Sequence, residues 1–338
     1  MKQYIRLFAA LFALLVALAW HFAGVRERAA APEEGAADPI RTTSPLRAER
    51  DSAVTLRVLH GGSVEEMTMD AYLLGVLRAE MPASFELEAL KAQAVAARTY
   101  TYYKMSGGAI ASHPEADACD DITCCKAYMS AQDAAAQWGS MALYYEEKLA
   151  RAVAETDGEV ILYDGAPVLA VFFSSAAGHT QGAGDVWQSD LPYLQAVESA
   201  ETEELVPNYY STRSFTPEEF RAAVQAVYPQ ADFGGGPGAY LTQIERNDAG
   251  YVASVCVGGV TMKGNDLRTL LGLRSPCFTV EVSDEALTFH VTGYGHGVGM
   301  SQYGANAMAK EGATSTQILE HYFTGATVEK ITQETPLQ

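Results

Sequence analysis

Residues 158–175 read GEVILYDGAPVLAVFFSS. Two apolar runs flank Asp164-Gly165, and that dipeptide between such runs is a hairpin signature. The pattern returns in AYLTQIERNDAGYVASVCV, residues 239–257, around Asp248-Ala249-Gly250, and in CFTVEVSDEALTFHVTG, residues 277–293, around Asp284-Glu285. Upstream the signals are mostly helical. Residues 54–59 alternate like a first strand, and Asp70 is placed to cap a helix with an apolar face of Leu73, Leu74 and Leu77 that ends before Pro82. Ser84 is placed to cap a second helix that runs to about residue 105 and stops at Gly107-Gly108. Residues 109–128 read as irregular, and a helix resumes across 131–137. Short helices are expected at 217–227, 266–271, 302–310 and 316–322. Helices first, hairpins later and helices at the end predict an α+β fold, with helices around antiparallel, hairpin-rich sheets.

The 338 residues suffice for one large domain or two modest ones. With 42 acidic and 23 basic residues the net charge is −19, which argues against general nucleic-acid binding. An anionic ligand must then be held by a local basic site. Lys2 and Arg6 precede an apolar run at residues 7–25 whose only ionisable side chain is His21. Its length approaches the roughly 20 residues that span a bilayer and exceeds the roughly 7–15 of a signal-peptide core. The small-residue site Ala29-Ala30-Ala31 is followed by Pro32, which suits cleavage poorly. The reading is a cytoplasmic tail at 1–6 and a single-pass transmembrane helix at 7–25, with the charge bias favouring an exported body. Residues 26–52, rich in Ala, Pro and charge, read as a linker, and the folded domain is expected at 53–328.

Four segments carry candidate chemistry. In LRAEMPASFELEALKAQAVAARTY, residues 77–100, Lys91, Val95 and Arg98 share one helical stripe, since residues seven apart differ by only about 20°. Gln93 and Tyr100 share another, and Glu80 precedes the helix. The two cations read either as a solvated, ion-paired face, with Glu88 to Lys91 at i, i+3, or as a ligand site. In GYGHGVGMSQYGANAMAKEGA, residues 293–313, glycine alternates with Tyr294, His296 and Val298 before Ser301 caps a helix beginning at Gln302 and Tyr303. Alternate glycines forfeit packing and cost backbone entropy, so another chain or a ligand must approach the backbone there. The loop binds something polar, or it is a tight turn with His296 in a structural hydrogen bond. In HPEADACDDITCC, His113, Cys119 and Cys125 have H-x5-C-x5-C spacing beside Cys124. Thiolates plus imidazole suit zinc, and an exported protein offers a disulfide as the alternative. Cys256 and Cys277 remain as a pair or as two buried thiols. FFSSAAGHT, residues 172–180, ends a strand with Ser174, Ser175 and His179, without the orienting acid or elbow of a serine hydrolase.

Together, YLLGVLRAEMPASFELEALKAQAVAARTYTYY, FFSSAAGHT, DVWQSDLPYLQAV and GHGVGMSQYGANAMAKEGATSTQILEHYFTG resemble the stage II sporulation protein D family, which includes amidase enhancers, over about residues 71–325. The resemblance implies a membrane-anchored lytic transglycosylase that cuts peptidoglycan glycan strands during engulfment, on the extracytoplasmic side of the cell membrane. It implies that Glu80, in AEMP, is the catalytic acid and that structural zinc sits on His113, Cys119 and Cys125. The expected substrate contacts are Lys91, Gln93, Arg98, Tyr100, Ser174, Ser175, His296, Gln302 and Tyr303. It also implies a peptide-removing partner, stage II sporulation protein P. The chain departs from the family pattern at the centre of SSAAGHT and at Lys126, where glutamine is more usual. A non-enzymatic wall binder that enhances an amidase and a zinc hydrolase are the alternative functions.

Overall fold

The computed structural model describes residues 48–107, 112–187 and 189–331. The apolar run at 7–25 and most of the expected linker lie outside them. No helix among the described residues is long and apolar enough to cross a membrane.

The described body already includes residues ahead of the expected boundary at residue 53. A short helix α1 (Glu49–Ser52) carries Asp51, which is fully buried, so residues 48–52 belong to the folded body rather than to the linker. A hairpin follows, β1 (Thr55–His60) and β2 (Ser63–Thr68), and then α2 (Met69–Glu80) and α3 (Leu87–Ser106). The caps differ from those expected. Thr68 and Glu86 occupy the N-cap positions, neither with a side-chain cap bond. Asp70 lies in the first turn of α2 and accepts the Ser52 hydroxyl at 3.0 Å, while Ser84 sits in the turn before α3.

Helix α3 is the axis of the main core. Ala89, Leu90, Ala92, Ala94, Val95, Ala96 and Ala97 are buried on every side, which explains its lack of an amphipathic stripe. The small side chains let α2, α5 (Ala142–Glu155), α9 (Gln302–Lys310) and α10 (Ser315–Tyr322) pack around it. Between these come β3 (Ala118–Cys119), parallel to β1, and α4 (Ala131–Trp138). Sequence periodicity had not separated α5 from the β-rich region that follows it.

The expected hairpin forms, but only in part. β4 (Glu159–Tyr163) pairs antiparallel with β5 (Ala166–Pro167) across Asp164 and Gly165, whose φ angles are 50° and 78°. The second apolar run then leaves. Its β6 (Phe172–Phe173) pairs in parallel with β13 (Met300–Ser301), and a short helix α6 (Ala183–Val186) follows. β14 (Thr327–Lys330) closes the other edge of β4.

Between residues 210 and 292 the chain builds a second core. It contains β7 (Tyr210–Phe215), α7 (Pro217–Val227), β8 (Leu241–Arg246), β9 (Val252–Val257), β10 (Val260–Lys263), α8 (Gly264–Leu271), β11 (Phe278–Val282) and β12 (Leu287–Thr292). Two three-stranded antiparallel sheets, β10-β9-β8 and β11-β12-β7, enclose Phe220, Val224, Val255 and Phe289. Both downstream hairpins expected from the sequence lie here. The α+β architecture with mainly antiparallel sheets is as expected; the division of the body into two apolar cores is new.

Candidate functional site

Glu80 is the last residue of α2, and the extended Met81 and then Pro82 prevent the helix from continuing. Its Oε1 accepts the Ala127 N–H at 2.9 Å. Its backbone carbonyl accepts Nε2 of Gln302 at 3.0 Å, and that amide also lies 3.4 Å from Oε1 of the buried Gln93. Three expected site residues from three helices therefore meet. Burial raises the Glu80 pKa above its ordinary value, outweighing the opposing Ala127 N–H and the charge of Lys126.

Lys126 is the residue that sequence reasoning missed, noting it only as a departure from the family pattern. Its Nζ lies 3.9 Å from the ring centroids of both Tyr100 and Phe172. Burial pushes its pKa down to about 8, against the pull of Glu80. Tyr100 is thus brought to the site, with its hydroxyl fixed on the Cys124 carbonyl at 3.0 Å.

His296 lies against Phe173 and Trp187, with ring centroids 5.6 and 5.8 Å away. Its Nδ1 accepts the Val298 N–H at 3.1 Å. Burial first, then the charges of Lys126 and Arg268, push its pKa down to about 4, so the imidazole is neutral at neutral pH. Trp187 is a further missed neighbour; its signal was an aromatic inside DVWQSDLPYLQAV.

The glycine alternation has an internal cause. Gly293, Gly295, Gly297 and Gly299 all have positive φ. A Cβ on Gly293 would stand 2.7 Å from the Ser175 carbonyl oxygen, and one on Gly299 would collide with the Val171 carbonyl. What approaches the backbone is this protein's own chain: segment 171–176 at Gly293, Gly295 and Gly299, and Gln181 at Gly297. Ser175 pairs with Tyr294 through both backbone hydrogen bonds, at 3.0 and 2.8 Å. Ser175 is buried, so its hydroxyl does not face a ligand at the surface, and the Ser174 backbone carbonyl accepts the Tyr303 N–H at 3.0 Å. Tyr303 packs edge-on against Phe85.

The two cations of the opening helix are otherwise engaged. Arg98 is 0% exposed and donates to Asp51 at 2.8 and 2.6 Å and to the Glu159 carbonyl at 3.0 Å. Lys91 is ion-paired with Glu88 at 2.8 Å and Glu155 at 3.4 Å. Neither is a free cation in the site, and the ion-paired reading of that stripe holds.

His113, Cys119, Cys124 and Cys125 each bring one ligand atom to within 4.8 Å of the others. Sγ of Cys124 and of Cys125 lie 3.3 and 3.6 Å from Nε2 of His113, and 3.9 Å from each other. A tetrahedral ion with thiolate and imidazole bonds of ordinary length has edges of about 3.5–3.8 Å. Nδ1 of His113 sits 3.2 Å from the Ala116 carbonyl, the outer-shell bond that turns Nε2 inward. The cluster therefore fits a metal ion, with Cys124 added to the three expected ligands. All five cysteines are free, so no disulfide forms here or between Cys256 and Cys277.

A half-buried acid influenced by an enclosed cation, whose charge also reaches a neutral imidazole, is a site suited to proton transfer. The family model described as "Stage II sporulation protein" matches residues 60–163, a span holding Glu80, α3 and the thiol cluster. Stage II sporulation protein D of Bacillus subtilis (strain 168) is 38% identical over 269 residues, covering 79% of this chain and 76% of that protein. Stage II sporulation protein D of Bacillus amyloliquefaciens is 35% identical over 301 residues, covering 88% and 85%. The amidase enhancer of Bacillus subtilis (strain 168) is 27% identical, covering 76% of this chain and 40% of the enhancer. The chain belongs to the stage II sporulation protein D family.

Proposed function

We propose that this protein is a sporulation-associated lytic transglycosylase that cleaves peptidoglycan glycan between N-acetylmuramic acid and N-acetylglucosamine. The observation that carries the reading is the buried Glu80 carboxyl, whose acidity no second carboxylate among the described residues is seen to perturb. Burial, one N–H and one cation set its pKa, with no second carboxylate among those causes. A paired-carboxylate glycosidase needs two. One suffices when Glu80 first protonates the glycosidic oxygen and then, ionised, takes the proton of the muramyl C6 hydroxyl. That hydroxyl attacks its own C1 and closes a 1,6-anhydro ring without water. Burial favours the acid form at the start; the Ala127 N–H and the Lys126 charge ease the ionised form midway. The test is mass spectrometry of peptide-free glycan strands after incubation with the purified chain. Anhydro ends support the reading; hydrated reducing ends, or intact strands as expected of a mere wall binder, refute it.

The reaction begins from neutral Glu80, so kcat/KM is expected to fall as pH rises through its pKa. Because burial raises that pKa, the falling limb should lie above the ordinary 4.5. A pH–rate profile with its limb at or below that value contradicts the assignment.

We assign zinc to His113, Cys119, Cys124 and Cys125 as a structural ion, since thiolates and imidazole are its ordinary ligands. Cys125 is followed by Lys126 and by Ala127, the donor to Glu80, so the ion would brace the site through two residues of backbone. Chelation, and separately Cys119→Ser, are expected to lower the melting temperature by about 5 °C or more. Calorimetry unmoved by both removes the structural role. The apolar run at 7–25 supports a single-pass anchor with the body outside the cytoplasm. Engulfment as the setting, and stage II sporulation protein P as a peptide-removing partner, complete the proposal.

A further inference from the structure

An acidic sugar needs a cation, and the two expected on α3 are consumed by Asp51, Glu88 and Glu155. Lys126 stands differently. Its ammonium lies between the faces of Tyr100 and Phe172, and the residue is only 8% exposed. Among the described residues it makes no ion pair and no hydrogen bond. Ring faces attract its charge but accept none of its three N–H donors in the way an oxygen does. Holding an ammonium largely out of water, with its donors unused by the protein, is costly unless an anion meets it. Glu80 and Cys125 pull on its charge, but neither bonds the ammonium.

We propose that Lys126 binds the substrate's own carboxylate, the lactyl group of a muramic residue, and so makes the site selective for acidic over neutral glycans. The identity of the sugar rests on the glycan-cleaving reading above. The position also accounts for a strongly acidic chain engaging a polyanionic polymer: one enclosed cation suffices, without a basic surface. Arg274 is the competing candidate. Its guanidinium lies 4.0 Å over the Tyr294 ring and its Nε is buried without a partner, but it belongs to the loop side and does not influence Glu80.

The test is equilibrium binding by the full chain, carrying Glu80→Gln to stop turnover. The probes are a peptide-free muramyl-containing tetrasaccharide and its lactyl methyl ester, which has the same shape without the charge. The free acid should bind at least about tenfold tighter than the ester, the size of a charged hydrogen bond. Lys126→Gln should bring that ratio to about one, Lys126→Arg should preserve part of it, and Arg274→Gln should leave it standing. A ratio within one variant does not depend on how much of the sample is folded. A ratio unchanged by Lys126→Gln, or abolished by Arg274→Gln instead, overturns the proposal. Cleavage is scored separately in the parent chain. A parent that prefers the acid but releases no anhydro ends loses the transglycosylase reading and keeps the Lys126 site. A parent that cleaves free acid and ester alike loses only the Lys126 proposal.

Discussion

Glu80→Ala is expected to lower the release of 1,6-anhydro ends by about 10²–10⁴-fold, the usual contribution of a positioned acid–base group. The loss should fall mainly on kcat, because the carboxyl acts on the bond being broken rather than in holding the sugar. Glu80→Gln sharpens the test. The amide oxygen can still accept the Ala127 N–H, and the Gln302 bond goes to the backbone carbonyl, which the substitution leaves in place. The fold should therefore survive in both variants. Near-parent cleavage by Glu80→Gln would sink the assignment, since an amide can neither give nor take the proton.

The second large effect concerns stability. Asp51→Ala is expected to destabilise the fold by about 3–5 kcal/mol, read as a drop in the denaturant midpoint. The side chains of Arg98 and Asp51 are 0% and 1% exposed, and the substitution strands a guanidinium in the main core with only the Glu159 carbonyl as partner. Lys91→Ala is the contrast. Its ion pairs lie nearer the surface, and the expected change is within about 1 kcal/mol. Replacing Asp51 and Arg98 together by apolar residues of similar volume should recover much of the loss, because the cost comes from the unpaired charge. An Asp51→Ala midpoint matching that of Lys91→Ala would show that Arg98 finds water or another partner.

How much of this was legible in the sequence follows the range of the interaction. The turns at Asp164-Gly165 and at residues 248–250 obey rules confined to a few neighbours, and strands pair across both, the first for only two residues beyond its turn. The same holds for α9, where the Ser301 hydroxyl accepts the Gly304 N–H at 3.2 Å and starts the helix at the expected residue. Arg98 was misread because its partner lies 47 residues away, in a segment whose composition resembles a linker. The glycines announced a close approach correctly, but not that the neighbours are segment 171–176 and Gln181. Lys126 carried the weakest signal: a lysine after two cysteines reads as surface, and only the folding of Tyr100 and Phe172 over it makes it an enclosed charge.

The bond from Gln302 to the Glu80 carbonyl joins positions 222 residues apart. A chain emerging from its N-terminus carries Glu80 long before the residue that braces it exists. Contacts of such separation form late, after the loop between them has closed. On the function proposed above, a copy cut short of Gln302 lacks the bond that braces the Glu80 carbonyl, and competence is expected only once that residue is in place. The proposed activity would then have its safety catch in the order of the chain's own synthesis.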